Sequence, residues 1–251
     1  MRPGAVITSS ALLLSSLVWG LAVGFGTGPW SGWSAVWLGG EMVFAGTLSL
    51  VGMLVGASRW GRRLGMGVAA AGLASAVVVP VESWWWWLGL VSSAAALGGL
   101  AGRAMKGYVR ERPAAAGPPP RAVGAVLAVL FSPAVVAAVV PSMPASTAIL
   151  LAAVWVGGVW YAKAAPGALF VVRVVVPSLA LAAALTLEPG GAVACLVVAA
   201  TVAALAWSKD ARLAVHPLVE RGTAVPIPPE LVPREILDEA GLDSRGRRKS
   251  G

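Results

Sequence analysis

Two ionisable side chains fall inside long apolar runs, and these are the positions at which chemistry is expected. Glu41 stands in Trp37-Leu-Gly-Gly-Glu-Met-Val-Phe44, and Arg173 stands in Phe170-Val-Val-Arg-Val-Val-Val176. An ionisable group in hydrocarbon is costly, so its presence points to a substrate path, a proton relay or a partner. Glu41 is the sharper candidate. A carboxyl there would couple to protons, or would anchor a hydrogen bond to a neighbouring helix or subunit. The alternative is a Glu that reaches the headgroups beside Trp37. Gly39 and Gly40 just before it leave room for another backbone. Arg173 has a long stem and can carry its guanidinium to the membrane surface.

Other chemistries are excluded by what the chain lacks. It has one cysteine, Cys195, and one histidine, His216. No intrachain disulfide, bis-His haem site, H-E-x-x-H zinc site or cysteine redox pair can be built from them. Cys195, in an apolar run, reads as a small buried apolar residue. There is no P-loop, no paired-Asp phosphotransferase signature and no G-x-S-x-G. The Ser and Thr residues within apolar runs have no nearby His or Lys to activate them. No catalytic, cofactor-binding or metal-ligating residue is assigned, and no cofactor is expected.

The elements that must position Glu41 and Arg173 are transmembrane helices. Hydrophobic residues make up 58% of the 251 residues and charged residues 12%, and the mean hydropathy is +0.81. A soluble domain carries about 25% charge. Eight apolar runs stand out, at roughly 5–27, 35–57, 65–81, 84–102, 122–141, 146–163, 168–187 and 190–207, near the length a membrane-spanning helix needs. They are continuously apolar rather than alternating, which favours helices over a barrel. The first run is longer than a signal-peptide core and reads as a retained helix. The fold class is therefore an all-α integral membrane protein, a polytopic bundle of about eight transmembrane helices. Residues 1–112 form a first four-helix half, 113–121 a Pro-rich linker and 122–207 a second four-helix half. Residues 208–251 form a cytoplasmic tail with a short helix near 233–240.

Charge orients the bundle. The nineteen Lys and Arg residues lie before run one, after run two, between runs four and five, around the loop joining runs six and seven, and after run eight. The loops at 28–34, 82–83, 142–145 and 188–189 contain none. Basic loops stay cytoplasmic, so both termini should be inside. On this threading Glu41 lies about 9 Å from the outer end of its helix. Arg173 lies a similar distance from the inner end of its own, so the two should not pair. Trp84, Trp85, Trp86 and Trp87, with Trp30, Trp33 and Trp37, mark the outer interface. Their alternative role is an aromatic pocket for a lipid-like or cationic ligand. Four consecutive Trp point in all directions around a helix, so those four cannot all line one pocket.

Helix-packing signals are abundant. Gly20-x-x-x-Gly24-x-x-x-Gly28, Gly52-x-x-x-Gly56 and Gly98-x-x-x-Gly102 fit close crossings. Pro133 and Pro177 should kink or break runs five and seven. The two halves would each start and end inside, like a parallel repeat, but without residue-level similarity. In the tail, Arg245, Arg247, Arg248 and Lys249 are candidates to bind anionic lipid headgroups.

Two functions follow. The first is a non-catalytic membrane subunit or scaffold that recruits a protein partner through residues 226–241. The second is a small permease for a lipidic or weakly polar substrate, proton-coupled through Glu41, acting alone or as a homo-oligomer. An intramembrane enzyme ranks third. Membrane lipids are expected partners, and nucleic acid is disfavoured because the basic residues already satisfy the topology. Arg over Lys, with abundant Ala, Gly and Val, suggests a high-GC prokaryote and its plasma membrane.

Overall fold

The computed structural model describes residues 3–25, 28–54, 59–81, 84–102, 105–108, 120–163 and 165–208. These residues are mostly helical. Four helices come first: α1 (Pro3–Gly24), α2 (Gly32–Leu54), α3 (Arg59–Val78) and α4 (Trp84–Ala101). Gly32 has φ +53°, a left-handed conformation that lets the chain turn sharply into α2. α3 ends just before Pro80, which disfavours helical backbone at the residue before it. These helices close a ring in which α1 packs on α2 and α4, and α3 packs on α2 and α4.

A second ring follows. It comprises α5 (Pro120–Leu130), α6 (Ser132–Val139), α7 (Ala145–Ala162), α8 (Ala168–Ala184) and α9 (Pro189–Ala206). α5 and α6 stand where the sequence gives one run. They pack on α7, α7 on α8, α8 on α9, and α9 back on α5 and α6. Neighbours therefore follow the same cyclic order in both rings.

Among the described residues, four helices are long and apolar enough to cross a membrane: Gly4–Gly24, Gly32–Leu54, Ala145–Ala162 and Pro189–Ala206. The apolar run read as starting at residue 65 belongs to a helix that already begins at Arg59. Backbone hydrogen bonding continues through the basic turn of Arg59, Arg62 and Arg63, where hydropathy falls.

Both prolines expected to disturb helices do so. Pro133 has no N–H for the carbonyl of Val129, and the helix breaks at Phe131. The Ser132 hydroxyl donates to that same carbonyl at 2.8 Å and satisfies it. Upstream of Pro177 the backbone widens into a π turn, Val171–Val175, within α8. A π turn relieves the clash a proline ring makes with the carbonyl four residues back, here that of Arg173.

The first ring is built on small residues. A Cβ on Gly39 would run into the Gly20 carbonyl oxygen and come within 2.8 Å of the Gly24 Cα, so the backbones of α1 and α2 touch. On α3, a Cβ at Gly61 would lie 2.8 Å from the Gly52 backbone. The expected crossings at Gly20, Gly24 and Gly52 are thus present. The one assigned to Gly98 and Gly102 is not. Gly98 has open space beside it, and Gly99 is the residue packed against Thr8 of α1. In a Gly-Gly-rich stretch, spacing alone does not select the contact face. Gly28 lies in the loop before α2, against Trp30 and Val79, rather than at a crossing, and Gly56 lies outside the described residues.

A hydroxyl chain closes the first ring. Trp19, fully buried, donates to Ser93 Oγ at 3.0 Å. Ser15 and Ser93 share a 2.7 Å hydrogen bond, and Ser93 donates to the Gly89 carbonyl at 2.7 Å. The second ring has an apolar core around Leu151, Val154, Val172, Val176, Cys195 and Val198, and Thr147 of α7 and Thr186 just after α8 share a 2.6 Å hydrogen bond.

Candidate functional site

The rings meet along α2. This helix packs on α6 and α7 as well as on α1 and α3. The segment before it is stitched to the segment after α6. Ser31 pairs in parallel with Ser142 and Gly32 with Met143, and the Ser31 N–H donates to the Pro141 carbonyl at 2.8 Å. Trp30 Nε1 donates to the Ala138 carbonyl at 3.1 Å. Further along α2, Phe44 packs on Phe131 and edge-on against Trp155, with centroids 6.0 and 5.4 Å apart. This short parallel pairing is an addition to the all-helical expectation.

Glu41 lies on this seam, in the third turn of α2. It is 5% exposed, and neither carboxyl oxygen has a hydrogen-bond partner among the described residues. Two cavities flank it. One, of about 540 Å³ and open on one side, lies between α2 and α7 and is walled by Trp33, Trp37, Phe44, Ile149 and Trp155. The other, of about 380 Å³, lies between α2, α3 and α6 and is walled by Leu38, Met42, Leu64, Val68 and Ala134. Among the described residues Glu41 is the one that lines both, and no Lys, Arg or His lines either. Ser75, the other polar residue with them, already donates to the Ala71 carbonyl. Gly40 has open space where a side chain would stand, which keeps the wall beside Glu41 thin. Ser34, seven residues before Glu41 on α2, is likewise buried with no partner for its hydroxyl.

Arg173 is elsewhere and is engaged. It sits in the π turn, where its Nε donates to the Ala206 carbonyl at 3.0 Å and its guanidinium lies 4.7 Å from the Trp207 ring centroid. It thus binds the carbonyl end of α9, where a helix dipole favours a cation. Its Nη2 is buried without a partner. In the first ring Arg62 of α3 does the same to α4, donating from Nε to the Leu100 carbonyl at 2.7 Å. Each ring therefore ends with its third helix clamping its fourth through an arginine. Sequence reading did not single out Arg62, because it counted as one of three topology charges.

The four-tryptophan block divides by face. Trp84 and Trp87 are exposed. Trp85 and Trp86 pack edge-on against Trp19, and Trp86 Nε1 donates to the Val79 carbonyl. None of them lines the Glu41 cavities. Cys195 is buried in the second core. Arg245, Arg247, Arg248, Lys249, His216, the 233–240 helix, residues 113–119 of the linker and the 82–83 turn lie outside the described residues. Sequence reading missed Phe44 and Trp155 as walls of the site. A lone aromatic inside an apolar run gives no sign of what it faces.

The fold and site define an all-α protein with helices able to cross a membrane and one unpartnered carboxyl between two apolar cavities. Comparison with protein-family models, curated proteins and solved structures gives no match.

Proposed function

We propose that this is a multi-pass plasma-membrane protein of eight spans, α5 and α6 together forming the fifth. Both termini are cytoplasmic, and the protein acts as a small permease for a lipidic or weakly polar substrate held at Glu41. Placement of the charges supports the topology. Arg59, Arg62, Arg63, Lys106, Lys163 and Arg173 all stand at the helix ends that the basic-loop rule puts inside, while Trp30, Trp33 and Trp84 stand at the others. α3 and α4 are long enough to span, but their three arginines and four tryptophans lower their hydropathy.

The observation that carries the functional reading is Glu41, a buried carboxyl without a protein partner that faces two apolar cavities. Such a group takes a proton, a donor or a cation from elsewhere. The cavities are of the size that takes small ligands. Their walls accept a substrate soluble in the membrane and, among the described residues, offer no second charged group for a strongly charged solute. The seam also lies beside the break at Phe131 and Pro133, since Phe131 and Ala134 line the second cavity, and broken helices line substrate sites in transporters.

Purification in native lipid, with mass spectrometry of bound material, tests this. The expected result is a small molecule that is retained by the wild type and lost from Glu41→Gln. A stoichiometric protein that is lost on deleting 226–251, with no Glu41-dependent ligand, would instead establish the subunit reading. That reading rests on the tail.

A further inference from the structure

Resting on the permease reading, we propose that the occupant of the cavity between α2 and α7 is a lipophilic cation, a hydrophobic amine or onium group that pairs with the Glu41 carboxylate against aromatic walls.

Charge complementarity argues this first. Glu41 is a potential anion at 5% exposure with both oxygens unpartnered. Among the described residues, no basic side chain lines either cavity to neutralise it. An ionised carboxylate in such surroundings is stable only when its counter-charge comes with the ligand. A neutral ligand would satisfy at most part of the carboxyl's capacity, and an anionic one would be repelled.

The walls argue it independently. Trp33 and Trp37 of α2, Phe44 one turn beyond Glu41, and Trp155 of α7 line the same cavity. Aromatic faces attract cations, and the attraction grows when water is excluded. Here a carboxylate and four aromatic rings border one open-sided space of about 540 Å³, a volume within the range of small-ligand sites. The rest of the lining is apolar, so the cation must be buried in hydrocarbon of its own. Small hydrated cations such as Na⁺ would lose their water without replacement oxygens, because the site offers two carboxylate oxygens and no ring of carbonyls.

The other candidates are weaker. Arg173 already binds a helix end, and the groove between α1 and α2 beside Gly20, Gly24 and Gly39 holds one polar side chain among the described residues, Thr47, whose hydroxyl already donates to the Val43 carbonyl.

The test is equilibrium binding to the full-length protein in lipid nanodiscs with three probes of similar bulk. These are tetraphenylphosphonium, its anionic counterpart tetraphenylborate, and neutral triphenylmethanol. Tetraphenylphosphonium is expected to bind saturably, one per chain. Its affinity should fall about tenfold or more in Glu41→Gln and about threefold in Trp155→Leu. Glu41→Asp should retain part of it, and tetraphenylborate should show no saturable binding. Saturable binding of triphenylmethanol that depends on Glu41, without binding of the cation, would overturn the cation assignment and leave the permease site standing. Cation binding that Glu41→Gln leaves unchanged would also overturn it. Absence of saturable binding by either probe would remove both the cation assignment and the site.

Discussion

The two rings repeat an arrangement in different materials. Each places its helices in the same cyclic order, and each ties its last helix with an arginine, Arg62 to Leu100 and Arg173 to Ala206. The first ring is held by backbone-to-backbone contact at Gly20, Gly24 and Gly39 and by the Trp19–Ser93–Ser15 hydroxyl chain. The second has a core made mostly of Val and Ala around Leu151 and Tyr161, and it contains a break at Phe131 and a π turn at Val171–Val175. In a bilayer, apolar burial does not distinguish a neighbouring helix from lipid, so close approach and hydrogen bonds carry the association. By that measure the first ring, with backbones in direct contact, is the more closely joined, while the second is tied by the Thr147–Thr186 hydroxyl pair. Glu41 is mounted on the first ring and lines cavities bordered by α3, α6 and α7.

The comparison breaks most readily at the glycines. Gly39→Ala places a methyl against the α1 backbone, which has no side chain to move. It should cost about 3 kcal/mol, seen as a lower thermal midpoint and loss of monodisperse protein. Gly157→Ala in the second ring meets a Val176 methyl instead and should cost about 1 kcal/mol. Equal losses would erase the distinction between the rings. Next comes Ser93→Ala. It leaves the Trp19 N–H and the Ser15 hydroxyl without their shared partner, for about 2 kcal/mol on the same measurement. Smaller still is Ser132→Ala, which frees the Val129 carbonyl next to Pro133 and should cost about 1 kcal/mol. If Ser132→Ala exceeds Ser93→Ala, the second ring is not the looser one. Smallest is Glu41→Gln. It breaks no contact among the described residues and should leave the midpoint within about 0.5 kcal/mol of wild type.

Much of the helical layout is legible in the sequence because an apolar run declares itself without any partner. Seven of the eight runs overlap one helix each, and the fifth overlaps both α5 and α6. Pro133 and Pro177 are visible as disturbances for the same local reason. What depends on two segments at once is not legible. The parallel pairing of Ser31 with Ser142, the choice of Gly99 over Gly98, and the repair of the Val129 carbonyl by Ser132 each need the folded neighbour. Glu41 is conspicuous as a lone carboxyl among apolar residues. Its two cavities are invisible, since they are made by α7, α3 and α6, and Trp155 lies more than a hundred residues away in the chain. Arg173 is equally conspicuous, but its hydrogen bond to the Ala206 carbonyl is not legible, because it depends on the end of α9 standing beside it.

The central claim is that the Glu41 carboxyl is unpartnered and reachable from an apolar space. Labelling with dicyclohexylcarbodiimide, a hydrophobic reagent for carboxyls in membranes, tests it most directly when peptide mass spectrometry locates the adduct. The account predicts modification at Glu41, protection by excess tetraphenylphosphonium, and no reaction there with a water-soluble carbodiimide. An unmodified Glu41 under conditions that label a control membrane carboxyl would contradict it.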